Sequence, residues 1–166
     1  MSDTKTLYDE DFVAWAKEQA QALRSAARGS SNQKLDWENL AEEIESLAIS
    51  QLRELKSQIR RVIEHLLKLE YSRAADPRRG WIESIVDARS EIESVLEDSP
   101  SLKNEIDAAI SAELKRGSRK AIVELEKYGE LDPATLASIR AATHTEEQVL
   151  GDWFPETSDW LRSEAE

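Results

Sequence analysis

The stretch DWENLAEEIESL, residues 36–47, holds five carboxylates and no base, and one imidazole, His65, follows twenty-two residues after Glu43. Carboxylate and imidazole are the groups from which acid/base catalysts and metal centres are built. Asp36, Glu43 and His65 are therefore the candidate metal ligands, and Glu43 and His65 the candidate catalytic pair. At 100° per residue, Asp36, Asn39, Glu43, Ser46 and Ser50 fall within about 80° of one another on a helix. They flank a seam of Leu40, Ile44 and Leu47. Glu45 lies on the other flank, about 120° from the seam's centre, and Glu42 points nearly opposite it. Twenty-two residues of straight helix separate Glu43 from His65 by about 33 Å, so a joint site needs a break in the helix or a second subunit. The second histidine, His144, stands three residues before Glu147, a spacing that also suits a surface contact near a helix cap.

The rest of the catalytic inventory is thin. The chain has no cysteine, which removes thiolate nucleophiles, disulfides and Cys-based metal sites together. It has no H-E-x-x-H, no G-x-S-x-G and no glycine-rich phosphate loop. A carboxylate-bridged di-metal bundle needs Glu three residues before each His, and Val62 and Ala141 stand there. No cofactor is implied, and catalysis is not the leading expectation.

Ion pairing is the simpler use of the same residues. An antiparallel hairpin turning near residues 29–35 matches residue numbers that sum to about 64, which brings Arg24 to Leu40 and within a turn of Glu43. A second hairpin through AADPRRG puts Arg89 at the level of Glu64 and His65 and predicts a network of Glu64, His65, Lys68 and Arg89. The expected interaction and structural residues are thus Arg24, Asn39, Glu43, Lys68, Trp81 and Arg89.

These side chains must be carried by helices. Phe12, Trp15, Ala16, Ala20, Leu23 and Ala27 keep helical spacing up to Gly29. Asp36 is a suitable N-cap for the next helix, with Leu35 packing on Leu40 as a staple. No Gly or Pro then intervenes until about Ser72. A helix of roughly 37 residues would be about 55 Å long, so a bend or a break is expected around residues 48–52, where the apolar stripe changes phase. Pro77 and Gly80 precede a third helix built on Trp81, Ile82, Ile85, Ala88, Ile92, Val95 and Leu96. Ser99 and Pro100 open a fourth carrying Leu102, Ile106, Ile110, Leu114, Ala121, Leu125 and Tyr128, with Gly117 as a kink, and Gly129 ends it. Asp132 with Pro133 and the capping box Thr145 to Gln148 start two shorter helices. The prediction is an all-α, single-domain bundle of five to six helices with a long second helix. Its ordered core runs over about residues 8–156, with frayed tails at 1–7 and 161–166.

Composition narrows the partners. With 34 acidic and 22 basic residues in 166, the net charge of -12 repels phosphate backbones and anionic lipid. No apolar run approaches the ~18 residues of a membrane span, and there is no signal-like leader, so a cytoplasmic protein is expected. Basic residues gather at 51–80 and again at Lys115, Arg116, Arg119 and Lys120. Pairing with acidic helices of the same bundle is their expected use. Nucleic-acid binding through Arg53, Arg60, Arg61, Arg78 and Arg79 is the less favoured alternative, since it requires one shared exposed face.

Taken in order, LYDEDFVAW, LDWENLAEEIESL, HLLKLEY, WIESIVDAR, DSPSL and DWFPE resemble the bacterial family catalogued as domain of unknown function 29, from Tyr8 to about Pro155. The polar positions that match its pattern include Asp36, Asn39, Glu42, Glu43, Glu45, His65, Lys68 and Arg89. Ala48, Leu69 and Gly80 stand where that family often has Gly, Trp and Ser. The resemblance implies an all-helical fold and no agreed activity. The leading expectation is a non-catalytic interaction or structural module whose long helix exposes apolar surface to an unknown protein partner or to a second copy. A metal-dependent or acid/base enzyme using Glu43, Asp36 and His65 is the alternative from another class.

Overall fold

The computed structural model describes residues 6–29 and 35–156, and among them seven α-helices and one 3-10 helix occur and no strand. The order is α1 (Leu7–Glu10), α2 (Phe12–Arg28), α3 (Trp37–Tyr71), α4 (Arg78–Asp98), the 3-10 helix Pro100–Glu105, α5 (Ile106–Lys127), α6 (Pro133–Ala141) and α7 (Glu146–Leu150). The all-α expectation holds. The residues expected to fray at 1–5 and 161–166 lie outside the described ones.

Local chemistry sets most of the boundaries. Asp36 Oδ1 accepts from the Asn39 amide at 3.3 Å and opens α3, Asp132 caps α6 with Pro133 behind it, and Thr145 and Gln148 form the box that starts α7. Each side-chain acceptor satisfies an amide that the first helical turn leaves without a partner. Gly129, at φ 71, adopts the left-handed turn that lets the Glu130 amide reach back to the Leu125 carbonyl at 2.9 Å, closing α5.

Four features differ from the sequence reading. The short α1, boxed by Thr6 and Asp9, precedes the first expected helix. Helix α3 is one unbroken element of 35 residues, because no Gly, Pro or inserted side chain interrupts its ladder where the stripe shifts phase. The chain from Pro100 to Glu105 winds as a 3-10 helix before α5 begins, and among the described residues the buried Ser99 hydroxyl has no hydrogen-bond partner, so Ser99 is no side-chain cap. Leu35 and Leu40 are both exposed rather than closed into a staple.

The chain divides into two compact units. The first comprises Met1–Leu55 and Glu93–Glu105, the second Lys56–Ile92 and Ile106–Glu166. In the first, α1 packs on α2, and the buried side chains of α2 are Val13, Ala16 and Ala20. The buried side chains that α3 supplies to this unit are Ala41, Ala48 and Leu55. Small side chains allow helix axes to approach closely. Asp11 does double duty: it caps α2 through the Ala14 amide at 2.8 Å and accepts from the Ser101 amide at 2.6 Å and its hydroxyl at 3.0 Å.

In the second unit α3 is a core element. Ile59, Val62, Ile63, Leu66 and Leu67 have no exposed surface, and Ile85 and Ala88 of α4 are equally buried. Helices α6 and α7 pack on α5. Gly117 does not kink α5. A Cβ there would lie 2.9 Å from Ile63 Cγ2 and 3.3 Å from the Arg60 carbonyl oxygen, so glycine is what allows α5 to lie this close to α3.

Candidate functional site

The predicted polar residues fall into separate places. Glu43 is exposed, and among the described residues it pairs with no cation. Its expected partner, Arg24, instead donates from Nη2 to Glu45 Oε2 at 2.6 Å. That hydrogen bond and the charge behind it hold the Glu45 carboxyl below its ordinary range. The reason for the exchange is rotational. The buried side of α3 in this unit centres on Ala41, Ala48 and Leu55, about 70° around the wheel from the expected seam, and this moves Glu45 to the edge of the core and Glu43 away from it. Asn39 Nδ2 donates to Asp36 Oδ2 at 2.6 Å, so this pair completes the cap of α3.

Glu43 belongs to the first unit and His65 to the second, and α3 runs without a break through both positions. Among the described residues no three His, Cys, Asp or Glu side chains converge to hold a metal ion. His144 is buried, and among the described residues its Nδ1 has no hydrogen-bond partner and no ligand set forms around it.

In the second unit three members of the expected network meet. Lys68, only 3% exposed, places Nζ 2.9 Å from Glu64 Oε1 and 2.6 Å from Glu124 Oε2, with the Trp81 ring centroid 5.6 Å away. Lys120 approaches Glu64 Oε2 at 3.5 Å, and His65 Nδ1 lies 3.8 Å from Glu64 Oε1. Burial raises the Glu64 pKa, but the Lys68 hydrogen bond and charge outweigh it, and the net result is below the ordinary value. Burial first, and the Lys68 charge second, push His65 down to about 4, so the imidazole is neutral near pH 7. The cluster borders a surface hollow of about 400 Å³ lined by Glu64, Arg119, Lys120, Val123, Glu124 and Lys127. Each buried charge here has an opposite charge within reach, which is what a lysine this deep in a core requires.

Arg89 lies outside this cluster, contrary to the expected register. Its guanidinium donates to the carbonyls of Val149 at 3.0 Å, Gln148 at 2.9 Å and Trp153 at 2.7 Å, and stands 4.8 Å from the Phe154 ring centroid. It caps the end of α7 and anchors the segment that follows, a task suited to a planar fork of donors. Arg78 does the same for α3, donating to the Leu69 carbonyl at 2.8 Å and the Ser72 carbonyl at 3.1 Å. Of the basic set 53–79, Arg78 is buried and Arg60 pairs with the buried Glu113 at 3.2 Å, so these two serve the second unit's own fold.

Sequence reasoning took Leu40, Ile44 and Leu47 for core. In the first unit Leu40 is 41% and Leu47 46% exposed, with Ile44 half-buried between them. One turn further along the same line, Gln51 enters the lining of a hollow of about 330 Å³ shared with Tyr8, Asp9, Phe12 and Asp98. Tyr8 meets Trp15 edge to face at 4.8 Å and Phe12 at 5.8 Å. The sequence signal for this face was the aromatic spacing Tyr8, Phe12, Trp15 just before an acidic helix.

The fold and these surfaces define an all-helical protein with a tightly paired core in one unit and an uncovered apolar line in the other. The chain belongs to the family Domain of unknown function DUF29, whose pattern matches residues 7–154. It is also similar to a crystal structure of an alpha-helical protein of unknown function from Rhodospirillum rubrum, at 24% identity and a TM-score of 0.71, with 90% of this chain and 92% of that one covered. No curated protein matches the chain. No described helix is long and apolar enough to cross a membrane.

Proposed function

We propose that this protein is a non-catalytic interaction module of the bacterial cytoplasm whose recognition face is the Leu40, Ile44, Leu47 line of α3. The observation that carries the reading is the exposure of Leu40 and Leu47, seven residues apart on one helix face, with Ile44 half-covered between them. Side chains at i, i+4 and i+7 form a continuous apolar strip of the kind that a partner helix covers. Leu40 and Leu47 are already more than half covered, and burying what remains of each is favourable by about 1 kcal/mol. The charged cluster around Lys68 serves the core in this reading, since its carboxylates and ammonium satisfy one another.

A photo-crosslinking residue at Leu47, compared in cells with one at the exposed Val123, tests the proposal. A discrete adduct is expected from position 47 and not from 123, and a Leu40→Ser substitution should remove it. Equal or absent labelling from the two positions overturns the reading.

A further inference from the structure

Resting on that reading of the α3 face, we propose that its occupant is a cationic amphipathic segment of another protein, whose Lys or Arg side chain enters the hollow lined by Tyr8, Phe12, Gln51 and Asp98. Three independent features of the first unit lead there.

The first is continuity. Leu40, Ile44, Leu47 and Gln51 stand at i, i+4, i+7 and i+11, so the apolar line runs directly into the hollow. Eleven residues of helix rise by about 16 Å, or three turns, which matches a partner helix with three apolar anchors and one polar residue a turn beyond them.

The second is the chemistry of the hollow. Among the described residues its lining offers the Tyr8 and Phe12 rings, the Gln51 amide and the Asp98 carboxylate, with Asp9, whose Oδ2 accepts from Thr6, at the edge, and no cationic side chain. Aromatic faces and carboxylates together attract an ammonium or guanidinium and repel an anion. Asp98 is exposed, makes no ion pair among the described residues, and is the last residue of α4, whose final turn contains no base. A carboxylate at a helix C-terminus sits in the negative end of the helix dipole, an unfavourable position that a bound cation relieves.

The third is the charge around the strip. From Asp36 to Gln51 the chain carries five carboxylates and no base; Asp36 and Glu43 flank the strip, whereas Glu38 and Glu42 point away from it. Glu45, on the far flank, is held by Arg24 and also feels the charge of Lys17. A second copy laid symmetrically on the strip would set these carboxylates against their own equivalents, and nucleic acid or anionic lipid would be repelled outright. A basic segment meets both the apolar line and its acidic border.

The test uses the full chain and two synthetic helical peptides with leucines at i, i+4 and i+7: one with Arg at i+11 and Lys at the flanks, the other with Glu at all of those positions. Binding is read by anisotropy of the labelled peptide and by Trp15 emission, since Trp15 contacts Tyr8. The basic peptide should bind at least about tenfold more tightly than the acidic one, and added salt should weaken it. Asp98→Lys, at an exposed position, should weaken the basic peptide by about tenfold with an unchanged circular dichroism spectrum. Tyr8→Ala is the second variant, with the same expected direction. Equal binding of the two peptides, or indifference to both substitutions, overturns the cationic occupant. If light scattering at tens of micromolar shows a dimer that Leu47→Ser abolishes, the occupant is a second copy; this proposal then fails while the recognition face stands. If neither peptide binds and Leu47 yields no adduct, both fail.

Discussion

Within the first unit α3 buries Ala41, Ala48 and Leu55 along one side and leaves Leu40 and Leu47 exposed, whereas within the second, from Gln58 to Leu69, it is buried on almost every side. The two stretches have much the same apolar spacing. In the second, burial is so extensive that Gln58, Glu64 and Lys68 are taken in with the leucines, and the charges survive only because Glu124 and Lys120 arrive from α5 to complete the pairing. In the first, alanines at the buried positions leave the larger side chains at the edge. A periodic stripe shows that a helix has an apolar side; the neighbours decide how much of it is covered.

The most disruptive way to break this contrast is Lys68→Met. Removing the ammonium leaves Glu64 and Glu124 without their shared partner, and a loss of about 3–5 kcal/mol in denaturant unfolding is expected. The double variant Glu64→Gln with Lys68→Met should recover much of it, since the stranded buried charge is then gone.

The leucines give the most direct comparison. Leu66→Ala, at a fully buried position, should cost about 3 kcal/mol, while Leu47→Ala should cost less than about 0.5 kcal/mol. Equal losses would mean that the two parts of α3 are covered alike. Gly117→Val tests the close approach of α5 to α3, and overpacking against Ile63 and the Arg60 carbonyl should cost about 2 kcal/mol.

Acidification separates the units further. His65 has a folded pKa of about 4 against an ordinary 6.5, so between those values the unfolded chain binds more protons than the folded one. Stability therefore falls as pH falls through that window, by roughly 3 kcal/mol for this group. His65→Gln should flatten the slope between pH 6.5 and 4 in thermal melts. Glu64, whose pKa is lowered, adds a contribution that is present above the ordinary carboxylate value and lost as pH falls through its lower folded one.

The smallest effect belongs to Glu45 and Glu43. Glu45→Gln should lower the melting midpoint slightly, by an amount that shrinks with added salt, because Arg24 and Glu45 meet in solvent. Glu43→Gln should leave the midpoint unchanged, and the reverse pattern would restore the pairing expected from the hairpin register.

Much of the helical layout was legible. Asp36, Asp132 with Pro133, and Thr145 with Gln148 act within one turn, so their capping could be read directly. The Thr6 to Asp9 box was equally readable and was missed because the helix it opens has only four residues. Lys68 was placed correctly with Glu64 and His65, whose separations of three and four residues bring them together on any helix. Glu124, Glu113 and Ser101 were not foreseen as partners of Lys68, Arg60 and Asp11, because a contact across more than fifty residues depends on how helices are rotated and shifted against one another.

By itself, then, the sequence determined helix content, caps and the absence of thiol chemistry, since these follow from backbone propensity, short-range hydrogen bonding and composition. Tertiary structure alone decided that Ala41 and Ala48 rather than Leu40 and Leu47 face inward, that Arg24 takes Glu45 rather than Glu43, and that Arg89 holds the end of α7. Helix rotation is set by the summed packing of all neighbours. A turn of about 70° exchanges which carboxylate reaches the arginine and which leucines are left for a partner.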